Sequence, residues 1–172
     1  MLRFGCILSF LLLVMSGAGA ETTALPGLIR APLSVAISLP GGRKVTLEGL
    51  VIRPDQRGRF PLVVLVHGTP RTEPGKFLEA YRRYSPTVMA GPAVVFARHG
   101  YATVSILRRG FGRSDGPYAE RIPDCDKPDY LGVGQASAED VRGAVATLRR
   151  EPWVDRKTGV RHVEMQLRGP SC

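Results

Sequence analysis

Five consecutive apolar residues, Leu62-Val63-Val64-Leu65-Val66, stand between Pro61 and the polar turn His67-Gly68-Thr69-Pro70. A strand with one wet face alternates apolar and polar residues. A run without alternation needs cover on both faces, as in a parallel sheet flanked by helices. Ala102 to Leu107 is a second short strand of this kind. A right-handed crossover would join the two in parallel. Between them, Phe77 to Tyr84 and Thr87 to Arg98 carry helical stretches interrupted by Pro86 and Pro92. In the second stretch Val88, Val95 and Phe96 fall near one face, with Met89 beside it. His99-Gly100 supplies a C-cap.

The residues before this unit follow a different period. Leu33 to Leu39 alternates, Pro40-Gly41-Gly42 turns the chain, and Lys44 to Arg53 alternates again, so a hairpin leads into the parallel strands. After them, Ser137-Ala138-Glu139-Asp140 reads as a helix start, with Ser137 as N-cap and acidic residues in the first turn. Val141, Ala144, Val145 and Leu148 continue at helical spacing, and Glu151-Pro152 ends the run. The expected fold class is α/β: a partial sheet in which an N-terminal hairpin precedes parallel strands with helices on their faces.

The chain has 172 residues, enough for one domain, and its 44% hydrophobic and 23% charged residues suit a globular protein. Its N-terminus differs in kind. Arg3 precedes an apolar run from Ile7 to Met15, and Ala18-Gly19-Ala20 offers small residues for signal peptidase, so residues 1–20 are expected to be a cleaved secretory leader. The run is shorter than the about 20 residues of a spanning helix, and no other stretch is long and apolar enough, so no stable membrane span is expected. Export to the periplasm or medium follows from the leader. Residues 21–32, rich in small residues and proline, read as an extended lead-in to a domain at 33–155, with an atypical tail at 156–172.

Removing the leader takes out Arg3 and no acidic residue, lowering the formal net charge from +9 to +8. Arg82-Arg83, Arg108-Arg109 and Arg149-Arg150 are separate pairs, without an aromatic platform or zinc-binding spacing. A solvated cationic surface is therefore expected, and nucleic acid is not expected as a partner. Attraction to acidic lipid headgroups or acidic substrates stays open. Export permits a disulfide between Cys125 and Cys172, and sequence does not decide whether it forms. Neither cysteine has a second ligand at metal-binding spacing, and no metal or cofactor is expected.

Several segments occur in a telling order: Val64-Leu65-Val66-His67-Gly68-Thr69-Pro70, then Phe96 to Val104, then Arg109-Gly110-Phe111-Gly112-Arg113-Ser114-Asp115-Gly116, then the Glu139-Asp140-Val141-Arg142 helix and Pro152-Trp153-Val154-Asp155. In order and spacing, residues 33 to 155 resemble the N-terminal half of an α/β-hydrolase, especially the secreted dienelactone-hydrolase and prolyl-oligopeptidase-like branch. The resemblance implies that the Thr69 backbone N–H contributes to an oxyanion hole, with His67 and Gly68 shaping the turn. It implies a structural role in the loop for Arg109 and Asp115 as a stabilising pair. It also implies a small ester, lactone or peptide substrate for intact relatives.

The departure follows Asp155. The family pattern continues into an apolar strand and Gly-x-Ser-x-Gly, whose sharp turn exposes the nucleophile. This chain instead continues with an alternating, charged segment and ends Gly169-Pro170-Ser171-Cys172. Ser171 is the remaining candidate nucleophile there; Ser114 has no base assigned to it, and Ser137 reads as an N-cap. The expectation is a hydrolase scaffold cut short before its nucleophile, by truncation or frame shift, and inactive as it stands. The competing classes are a non-catalytic cationic binding or accessory protein and a half-domain completed by another chain.

Overall fold

The computed structural model describes residues 25–69, 76–120, 126–158 and 160–164. The N-terminal leader, Cys125 and the segment containing Ser171 and Cys172 lie outside them. The first two strands, β1 (Leu28–Ser38) and β2 (Lys44–Pro54), form an antiparallel hairpin closed by a 3₁₀ turn at Pro40–Gly42. Next come β3 (Leu62–Val66), the short helix α1 (Phe77–Arg82), a 3₁₀ turn at Pro86–Met89, α2 (Ala90–Arg98) and β4 (Ala102–Ile106). The helix α3 (Tyr130–Leu148) and the strand β5 (Arg161–Glu164) complete the order.

The sheet runs β1-β2-β4-β3-β5, with β3 parallel to both β4 and β5 and β2 antiparallel to β4. Hairpin and crossover architecture thus meet between β2 and β4. The strand β1 starts at Leu28, five residues before the expected Leu33, because the backbone pairing of the hairpin continues back to residues opposite Ile52 to Pro54. The charged segment after Asp155 also joins the sheet: β5 lies against β3, with Val66 opposite Glu164.

The two-sided cover demanded by the apolar pentad is visible residue by residue. Val64 and Val66 pack into one core with Val35, Ile37, Ala144 and Leu148, under α3. Val63 and Leu65 pack into the other with Ile52, Met89, Ala93 and Ala97, under α2. The helix α2 therefore turns Met89, Ala93 and Ala97 inward, and the expected apolar face containing Val88 and Val95 is incorrect. Those two valines are exposed, because residues at intervals of four with small side chains let the helix approach the sheet more closely.

The helix α3 begins eight residues earlier than the expected N-cap Ser137 would place it. Asp129 is its N-cap, accepting a hydrogen bond from the Gly132 N–H at 2.8 Å. Ser137 is inside the helix, and Glu139 and Asp140 are well past its first turn. Gly132 and Gly134 mask the start, since glycine is a poor helix former. Further along, a Cβ on Gly143 would stand 2.8 Å from Ile37 Cβ, so only glycine lets α3 lie this close to β1.

Candidate active site

Because β3 and β4 are parallel with Val66 opposite Ile106, their C-terminal ends deliver His67-Gly68-Thr69 and Leu107-Arg108-Arg109 side by side. The carboxyl ends of parallel strands are where α/β folds place ligand sites. His67 is 1% exposed. The Arg108 backbone N–H donates to its Nε2 at 3.2 Å, so the ring proton resides on Nδ1 and donates to the Gly68 carbonyl at 2.8 Å. Burial, reinforced by the Arg108 charge, lowers its pKa to about 3. The ring is neutral at ordinary pH and both nitrogens are engaged, which fits a turn-shaping residue and not a base.

Arg108 binds the same turn from its side chain. Its Nη1 donates to the His67 carbonyl at 2.6 Å, while Nε and Nη2 grip Glu120, the latter at 2.9 Å. Both partners are nearly excluded from water. Around them, His67 meets Phe111 edge to face at 4.3 Å, and Tyr81 stacks on Tyr118 at 4.3 Å. Burial pushes the pKa of Tyr118 up.

Arg109 ties β4 to α3. Its backbone N–H donates to Asp140 Oδ2 at 2.9 Å, its Nε lies 2.6 Å from Asp140 Oδ1, and Nη2 reaches Glu139 and the Ala136 carbonyl. Burial raises the Asp140 carboxyl above its usual range, against the opposing pull of Arg109. The expected pairing of Arg109 with Asp115 is incorrect. Asp115 instead exchanges hydrogen bonds with Thr46 of β2, its Oδ2 accepting at 2.8 Å. Two carboxylates from a packed helix hold the buried arginine, and the exposed loop aspartate is left to bind backbone.

Ser114 has no free function: its Oγ donates to the Leu107 carbonyl at 2.7 Å and accepts the Glu48 N–H at 2.9 Å. Gly110 has φ 82°, and a Cβ there would stand 2.5 Å from the Tyr118 N and Cα atoms. The Arg-Gly-Phe-Gly-Arg-Ser-Asp-Gly segment thus folds a tight loop whose polar side chains anchor it to β2 and α3. Among the described residues, nothing accepts from the Thr69 backbone N–H, which sits at the exit of β3. Ser171 lies outside the described residues. The strand β5 ends next to this exit, since Glu164 is paired with Val66.

Glu120, Tyr118 and Asp140 were not singled out as site residues by sequence. The expectation of a solvated cationic surface is incorrect for Arg108 and Arg109, which are buried; a guanidinium removed from water requires carboxylates, and the sequence does not say which. Among the described residues no group of three His, Cys, Asp or Glu side chains could hold a metal ion, and no helix is long and apolar enough to cross a membrane.

No protein-family model matches the sequence, and no curated protein does. Solved structures do. The alpha/beta hydrolase GrgF from Penicillium sp. sh18 is similar with a TM-score of 0.53 and 20% identity, over 79% of this chain and 37% of that one. An acetyl xylan esterase from Paenibacillus sp. R4 gives 0.53 and 16%, over 84% and 43%. DcsB, solved with a substrate analogue, gives 0.52 and 20%, over 78% and 37%. The chain therefore spans about two fifths of the length of these structures. A mixed sheet flanked by helices is consistent with that likeness, and the fold of this chain is a partial α/β-hydrolase.

Proposed function

We propose that this protein carries the oxyanion end of an acyl-transfer site, in an exported hydrolase scaffold suited to a small ester, lactone or peptide, and that the 172 residues alone do not turn such substrates over. The observation that carries the reading is the Thr69 N–H. It is uncommitted among the described residues, stands at the carboxyl end of β3, and belongs to a turn fixed by a neutral His67 and a buried guanidinium. A fixed amide dipole at that point stabilises a tetrahedral oxyanion with little reorganisation, and one such donor is worth about 3 kcal/mol in a transition state. Turnover also needs a nucleophile, a base and an orienting acid. His67 and Ser114 are both engaged in structure: the sequence's Gly-x-Ser-x-Gly match, Gly112-Arg113-Ser114-Asp115-Gly116, holds a serine whose Oγ is bound to Leu107 and Glu48 in the loop after β4, and no such match follows Asp155.

The test is a short-chain chromogenic ester together with a serine-reactive phosphonate. Neither turnover nor covalent labelling is expected; robust turnover with labelling of Ser171 would overturn the assignment. Export is checked by N-terminal sequencing of the secreted product, which is expected to begin at Glu21.

One observation favours a second reading, completion by another chain. A groove of about 700 Å³, lined by Val66, Val141, Val145 and Val160 among others, runs beside α3 next to the terminal strand β5. Light scattering and co-purification separate the cases: a monomer that recruits nothing rejects completion.

A further inference from the structure

Seven basic residues that are scattered along the sequence, among them the Arg149-Arg150 pair, are collected by the fold at one end of the sheet. The Phe60 N–H donates to the Trp153 carbonyl and the Asp155 N–H to the Phe60 carbonyl, joining the turn after β2 to the segment after α3. The first brings Arg57 and Arg59, the second Arg149, Arg150, Arg156 and Lys157. Arg98, at the end of α2, joins them because the following turn leads to Ala102, whose N–H donates to the Pro61 carbonyl. All seven are exposed, and among the described residues of these segments only Asp55, Glu151 and Asp155 oppose them. Among the described residues none of the seven forms a salt bridge. Two helices also end here, and cations favour helix C-termini, so the arrangement costs the fold little.

The chain enters the fold at this same end. The Asp55 N–H donates to the Gly27 carbonyl, and Leu28 pairs with Pro54. The apolar run Ile7 to Met15 precedes Leu25 by about ten residues, a reach of at most roughly 35 Å. Until the leader is removed, a bilayer that takes it up is therefore within reach of the basic end. The aromatic rings at this end offer no exposed platform for stacking bases: Phe60 is buried, and Tyr101 and Trp153 pack partly into the cores.

We propose that this end docks electrostatically onto the anionic headgroups of a phospholipid bilayer, with the site-bearing end turned towards water. The inference does not depend on catalysis. Polybasic surfaces gain affinity from each Lys or Arg close to an anionic membrane, and salt weakens them.

The experiment is co-sedimentation of the full chain with vesicles of phosphatidylcholine alone or mixed with phosphatidylglycerol. The apolar leader contributes to both, so the excess on anionic vesicles is the readout. That excess is expected to fall by at least about tenfold in R149Q/R150Q/R156Q/K157Q and to vanish in high salt. The variant R43Q/K44Q/R82Q/R83Q changes net charge equally at the other end, on exposed residues, and is expected to retain most of it. Circular dichroism checks both folds. Should the first variant misfold, trypsin cleavage of the unaltered chain decides: anionic vesicles should slow cutting at Arg149 to Lys157 and spare the rate at Arg82 and Arg83. Equal losses in the two variants, no anionic preference, uniform protection, or displacement of the protein from vesicles by duplex DNA at equal charge would overturn the proposal.

Discussion

At the carboxyl ends of β3 and β4, Arg108 and Arg109 are 3% and 5% exposed, and carboxylates from distant positions, Glu120, Glu139 and Asp140, close around them. At the amino ends of the same strands, Arg57, Arg98, Arg149 and Arg150 are exposed and none takes a carboxylate among the described residues. The residue type is the same and the strands are the same. What differs is whether the charge is removed from water. A buried guanidinium is tolerated only when its charge and donors are matched, so it organises the loops around it. A solvated one imposes nothing on the fold and stays available to an outside partner.

The sharpest way to break this comparison is to remove one buried carboxylate. Glu120→Ala leaves Arg108 charged and desolvated beside the His67 carbonyl, and a loss of about 3–5 kcal/mol in unfolding free energy is expected. That is a large part of a typical domain's stability. Arg150→Gln, at the other end, is expected to change stability by no more than about 0.5 kcal/mol. Urea melts of the two variants measure both; similar values would show that the ion pair is not what holds the turn.

Glycine sharpens the contrast in the backbone. Gly100 and Gly110 have similar φ values, 86° and 82°, at opposite ends of β4. An added Cβ at Gly100 meets nothing within 4 Å, whereas at Gly110 it meets the Tyr118 backbone at 2.5 Å. Gly100→Ala therefore carries only the left-handed strain, about 1–2 kcal/mol. Gly110→Ala adds a backbone collision, for an expected loss of about 3 kcal/mol or more. Equal melting midpoints would deny that the loop is closed as tightly as described.

The same contrast marks how far sequence could reach. The pentad Leu62 to Val66 announced two-sided cover because its period is local, and the hairpin and the crossover followed from local patterns as well. The partners of Arg108 and Arg109 were not legible, because they are set by a loop and a helix that meet the β4 exit in space from twelve to thirty-one residues away. The start of α3 was hidden by two glycines, and tertiary packing overrode their propensity. The pairing of β5 was hidden by its charge: an alternating segment reads as a solvated tail until a terminal position in the sheet, next to β3, gives it a place. The basic end is the converse case, since its residues were plain in the sequence and only their convergence was not.

A smaller effect comes from the histidine in the site-end turn. His67 has a folded pKa of about 3 against 6.5 for a free imidazole. Between those values the unfolded chain binds a proton that the folded chain does not, so stability is complete above pH 6.5 and falls as the pH drops towards 3. The expected slope is about 1.4 kcal/mol per pH unit, or about 2 kcal/mol between pH 7 and pH 5. The slope difference between the parent chain and His67→Asn isolates this term from the carboxylates. An unchanged slope would place the histidine in water.

The smallest effect tests a pair that belongs to the site end by position and to the other end by solvation. Arg113 is in the same loop as Arg109 and forks onto Glu48 at 2.8 and 3.1 Å, yet its side chain is 83% exposed. If loop membership governed energetics, Arg113→Ala would rival Glu120→Ala. If solvation governs, water screens the pair, and the Arg113 backbone N–H still donates to Glu48 in the variant. The expected loss is then below about 1 kcal/mol and shrinks in high salt. A loss of several kcal/mol, insensitive to salt, would mean that distance alone, and not removal from water, separates the two kinds of arginine in this fold.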